Sequence, residues 1–191
     1  MTAPLAYAGE CGPLALGALL ELTPEAAAEM LWPARALWWD PRRPAGGDSF
    51  YGTPERALED VLMRVGCELD FYAGDGTLLA DTAILASLIR REAHERVTMV
   101  RRGIVSPAPA GPAPGDRAAE WYGTLHILLQ WIDRHRAGHW LYLLTDGRAA
   151  HVVACYGPAV LVGDPAGRYA AEPWRVYQAL RVHLLPNRGT P

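Results

Sequence analysis

Residues 104–116, Ile-Val-Ser-Pro-Ala-Pro-Ala-Gly-Pro-Ala-Pro-Gly-Asp, set four prolines among small side chains. Proline fixes its own φ and offers no backbone N–H, so neither a helix interior nor a central strand can run through such a stretch. It reads as an exposed connector between two unlike halves. Before it, apolar residues recur at helical spacing; after it, short strand-like runs alternate with turns. A chain of 191 residues suits one domain, 1–191, with a helical part over about 1–103, a connector at 104–118 and a sheet part over 119–191. The expected class is α+β, a helical N-terminal half packed on a C-terminal antiparallel sheet. A domain of this size buries roughly 70% of its unfolded surface and needs no disulfides to fold.

In the first half, residues 11–22 carry Leu14, Leu16, Leu19, Leu20 and Leu22 in a broad apolar stripe, with Pro13 tolerable in the first turn. Thr23-Pro24-Glu25 is a helix start, leading into a short helix through about Leu31. Segment 33–52, rich in Pro, Gly, Trp and Arg, reads as a loop. Thr53-Pro54-Glu55 repeats the start signal, and Gly66 marks that helix's stop. A strand is expected at Cys67–Tyr72, a helix from Asp81 or Thr82 to about Glu95, and a strand at Val97–Arg101. Beyond the connector, Trp121–Ile132 has helical spacing. His139–Thr145, His151–Tyr156 and Ala159–Val162 read as strands, followed by a short helix near Trp174–Leu180 and a strand at Val182–Leu185.

The charge pattern excludes several functions. Net charge is -3 and the isoelectric point near 6.1, which argues against a nucleic-acid binder that works by neutralising phosphates. No window approaches a membrane span, and no basic segment precedes an N-terminal apolar stretch as in a secretory signal. Three cysteines, Cys11, Cys67 and Cys155, form neither a disulfide framework nor a CxxC pair, so a reducing, cytoplasmic setting is expected. All 18 basic residues are arginine; lysine is absent. Two Phe and a single Asn accompany that absence, which points to a coding bias toward G and C.

Cys11 opens the first long helix, between Gly9-Glu10 and Gly12-Pro13. A thiolate there faces the helix's unsatisfied N–H groups, which lower its pKa and favour a nucleophile. Such a nucleophile needs a base, and the base an orienting group. His151 opens a strand after a turn, and Asp164 ends the next in Val162-Gly163-Asp164-Pro165. Adjacent antiparallel strands joined at Gly157-Pro158 can set the two side by side, where a carboxylate fixes the imidazole tautomer.

Gly9-Glu10-Cys11-Gly12-Pro13-Leu14-Ala15-Leu16, His151-Val152-Val153-Ala154 and Gly163-Asp164-Pro165-Ala166-Gly167 together resemble the papain-like cysteine peptidases. The likeness is greatest to compact bacterial and phage members and to peptidases that trim double-glycine leaders. The resemblance implies Cys11 as nucleophile, His151 as general base and acid, and Asp164 as orienter, on a papain-like fold with the cleft between its halves. It implies hydrolysis of a peptide, isopeptide or amide bond in a peptide or protein substrate through a Cys11 thioester, with no cofactor. The family's oxyanion glutamine would fall at Leu5, so Tyr7 and Gln130 become candidate donors. Two alternatives share the scaffold: a catalytically inactive binding or structural module, and a deamidase or transglutaminase-like effector. Oligomeric state is not readable.

Other features are weaker. His135 and His139 have a zinc-like spacing, but Gly138 breaks any helix between them and no further ligands are near, so no metal is expected. Cys155 falls on the same strand face as His151 by alternation, and Cys67 reads as core. Trp38, Trp39 and Tyr51, in the Gly/Pro-rich loop, either line a cleft for an extended substrate or cap the helical core. For an acyl-transferring enzyme, a surface without ε-amines also removes the main internal acceptors of its own thioester.

Overall fold

The structure, a computed structural model, describes residues 3, 5–38, 53–101, 138–145, 150–157, 159–162 and 175–184. The expected helix at Trp121–Ile132 and the Pro-rich connector lie outside them. Five helices and six strands follow in the order α1 (Leu5–Ala8), α2 (Cys11–Leu20), α3 (Pro24–Trp38), α4 (Glu55–Arg64), β1 (Glu68–Ala73), β2 (Leu78–Asp81), α5 (Thr82–Arg101), β3 (His139–Thr145), β4 (Ala150–Tyr156), β5 (Ala159–Val162) and β6 (Arg175–His183). The class is α+β. All strand pairs are antiparallel in one sheet ordered β2-β1-β6-β3-β4-β5. The last strand thus joins the β1–β2 hairpin of the first half to the three strands of the second.

The central helix α2 has buried residues on every side, Pro13, Ala15, Leu16 and Leu19 among them, as an almost wholly apolar helix must. It packs between α3 and the strands β4 and β5. Its last turn ends at Glu21, held in the left-handed region at φ 54°. Burying Leu16 and Leu19, at 0% and 1% exposure, contributes about 1.5–3 kcal/mol each.

Three expected boundaries are corrected. Helix α3 does not stop near Leu31 but runs through Pro33 to Trp38. An interior proline costs about 3 kcal/mol, and the continued burial of Leu31, Trp32, Ala34 and Trp38 offsets it. Residues 97–101 are the end of helix α5, not a strand. The β-branched Thr98 is accommodated by turning its hydroxyl back to the His94 carbonyl, 2.8 Å away. The expected helix near Trp174–Leu180 and strand beyond it are one strand, β6. Its pairing with β3 shifts register between Leu143 and Leu144, which face Gln178 and Val176, so Tyr177 is the extra residue. Val176 and Ala179 thereby reach the same core cluster at a spacing of three, the interval of a helix.

The sheet buries both faces. On the helix side lie Leu141, Leu143, Val152, Ala154, Leu180 and Val182; on the other, Trp140, Tyr142, Leu144, Val153, Cys155 and Val176. Among the described residues, no helix is long and apolar enough to cross a membrane.

Candidate active site

The turn that starts α2 builds the site. Glu10 is its N-cap residue, extended at φ -74° and ψ 155°, and its carbonyl accepts from the Leu14 N–H at 3.1 Å. Cys11 therefore occupies the first helical position, as the sequence reading expects, and Pro13 sits where its missing N–H goes unused.

The Cys11 thiol is met by the backbone N–H of Val152 in β4, and by those of Gly12 and Cys11 itself. Despite these donors, burial pushes the thiol up to about 11, and the Glu10 carboxylate pushes the same way. This corrects the expectation of a thiol acidified by its helix: loss of solvent outweighs the amides. Near neutral pH the group is protonated and needs a base.

His151 stands beside that Val152 amide and is 8% exposed. It pairs with Leu144 across β3–β4, which places it on the sheet face of Leu144, Val153 and Cys155. Cys11 packs on the opposite face, with Val152. The structure thus brings the thiol to the β4 backbone one residue from His151, with the strand between the two side chains' faces. Asp164, Gln130, Trp39, Tyr51 and His135 lie outside the described residues.

Tyr7 is fully buried in α1, and its hydroxyl lies 2.7 Å from Thr53 Oγ1. Burial raises the phenol above its usual range, so it holds its proton. Its ring meets Trp32 edge-on at 5.2 Å, and the Arg35 guanidinium lies over both rings, 5.2 Å from Tyr7 and 4.9 Å from Trp32. Arg35 is 4% exposed; burial raises the half-buried Glu10 carboxylate, and the Arg35 charge opposes that rise only in part.

Sequence reasoning missed Thr53 and Arg35. Thr23 and Thr53 each precede Pro-Glu, yet only Thr23 caps a helix, taking the Ala26 N–H at 3.3 Å. Helix α4 is capped at Pro54 without a side-chain bond, and the Thr53 hydroxyl turns to Tyr7 instead. Space around Gly12 carries the same message: a Cβ there would lie 1.9 Å from Thr53 Oγ1. The glycine is required because Thr53 closes directly on the first turn of α2.

Other candidates resolve as structure. Trp38 is not in a loop; it ends α3, is 2% exposed and donates its Nε1–H to Asp60 at 3.1 Å. Arg64 grips the same carboxylate at 2.8 and 2.7 Å, so Trp38 anchors the α3–α4 pair. Cys67 and Cys155 are buried core residues, and burial pushes the Cys155 thiol up to about 12. The His139 ring lies tilted against that of Tyr156, their centroids 4.7 Å apart, and no cluster of three His, Cys, Asp or Glu suited to a metal occurs among the described residues. No protein-family model, curated protein or solved structure matches the chain.

Proposed function

We propose that the chain is a thiol-dependent hydrolase of papain-like type, acting on a peptide, isopeptide or amide bond in a peptide or protein substrate. The observation that supports it is the Cys11 thiol at the start of α2, held by the amide of the residue that follows His151. In this reading the imidazole, on the far face of β4, has to reach the thiol past Ala150, where the strand begins. His151 takes the S–H proton as sulfur bonds to the carbonyl carbon, and returns it to the leaving amine as the C–N bond breaks. Water then hydrolyses the thioester, with Asp164 as the orienting carboxylate. The chemistry uses no cofactor. Three free cysteines suit a reducing compartment such as the cytoplasm.

The test is the pH profile of Cys11 alkylation by iodoacetamide. Wild type is expected to react faster near neutral pH than a thiol titrating at about 11 allows, and His151→Ala to show only a slow rise toward about 11. Identical profiles, or hydrolysis unchanged in Cys11→Ala, overturn the reading. A second reading, an inactive binding module, is favoured by the loss of solvent at the thiol and by the adjacent Glu10, both of which oppose a thiolate. It requires that Cys11 alkylate no faster than its raised pKa allows.

A further inference from the structure

We propose that the Thr53 hydroxyl donates the hydrogen bond to the substrate's carbonyl oxygen that Leu5 does not supply, with Tyr7 as the residue positioning it. This rests on the acyl-transfer reading of Cys11. The hydroxyl pair at 2.7 Å has two protons and needs one for its internal bond. Which oxygen donates follows from burial. Tyr7 is at 0% exposure, and a buried phenolic O–H must find an acceptor; among the described residues that acceptor is Thr53 Oγ1. Tyr7 therefore donates, and Thr53 keeps its own O–H for another acceptor.

Thr53 is placed to use it. It is half-buried rather than enclosed, and helix α4 does not occupy its hydroxyl as a cap. Its Oγ1 lies against Gly12, the residue after the nucleophile. The Glu10 N–H bonds the Tyr7 carbonyl at 3.1 Å, so one turn of chain carries both the phenol and the entry to α2. As sulfur bonds to the carbonyl carbon, the C=O electron pair moves onto oxygen. The Cys11 N–H and the Thr53 O–H then provide two donors to that charge.

The experiment uses p-nitrophenyl acetate as acyl donor and follows nitrophenolate release in the first turnover, beside iodoacetamide alkylation of the same proteins. Alkylation displaces iodide and places no charge on a carbonyl oxygen, so it reports the thiol alone. Thr53→Val is expected to slow acylation by about 10²–10³ while leaving alkylation within about two-fold of wild type. Thr53→Ser should recover most of the acylation rate, and Tyr7→Phe should fall between the two. Acylation by Thr53→Val at the wild-type rate overturns the assignment. So does an equal loss of alkylation, which marks a packing role, or failure of Thr53→Ser to recover the rate, which assigns the effect to the methyl group. Wild type that neither acylates nor alkylates faster than free cysteine overturns the acyl-transfer reading instead, and this assignment with it.

Discussion

Cys11 and Cys155 approach strand β4 from opposite faces, and the same force acts on both. Loss of solvent raises each thiol, to about 11 for Cys11 and about 12 for Cys155. What differs is the rest of the environment. Around Cys11 three backbone N–H groups oppose the rise, whereas on Cys155 burial acts alone. Cys11 also keeps partial exposure at a helix start, while Cys155 is sealed between Trp140, Tyr142 and Val153. A buried cysteine is thus a poor guide to function until its donors and access are known. Position at a helix N-terminus is equally poor, because here desolvation outweighs the helix.

The largest effect that can break this comparison is accessibility. In folded protein, iodoacetamide should label Cys11 at least about 10³ times faster than Cys155, because Cys155 reacts only when the sheet core opens. Peptide mapping by mass spectrometry after timed quenching measures the ratio. Comparable rates would mean that β4 frays as a unit and that the two faces are not distinct environments. Serine replacement sharpens the same contrast on a smaller scale. Cys155→Ser buries a hydroxyl among aromatic and aliphatic groups and should cost about 1–3 kcal/mol. That corresponds to a melting temperature lower by roughly 2–12 °C for a domain of this size. Cys11→Ser meets the Val152 N–H and should cost less than about 1 kcal/mol.

The two faces of β4 also show what could be read from the residues. His139–Thr145 and Ala159–Val162 emerge at the expected bounds, and β4 begins one residue earlier than expected, because runs of β-branched and aromatic residues between Gly turns leave little alternative. The start of α2 at Cys11 was equally legible from Gly-Pro punctuation. Where reading failed, a tertiary effect overrode a local one. Core burial carried α3 past Pro33, and a bulge at Tyr177 gave strand β6 a helical interval. Thr53 shows the same limit within the site. Its Thr-Pro-Glu context is that of Thr23, and only a partner 46 residues away in sequence, Tyr7, distinguishes them. The approach of Cys11 to Val152 depends on packing between chain ends, although the resemblance had already paired Cys11 with the His151 segment.

Alkaline titration gives the smallest and most specific separation. Both thiols hold their protons more tightly when folded than when unfolded, where a cysteine titrates near 8.5. The stability that this supplies is fully present below that value. It is lost as pH rises, through about 11 for Cys11 and on to about 12 for Cys155, because the unfolded chain gains by ionising first. Melting temperature is therefore expected to fall above pH 9 in wild type. Cys11→Ala should flatten the earlier part of that fall and Cys155→Ala the part that persists to higher pH, when each is compared with its own value at pH 7. The other alkaline groups remain common to all three proteins and cancel in the comparison. If Cys11→Ala leaves the curve unchanged between pH 9 and 11, its thiol is as solvated as a free cysteine, and the contrast between the two faces of β4 collapses into one of access alone.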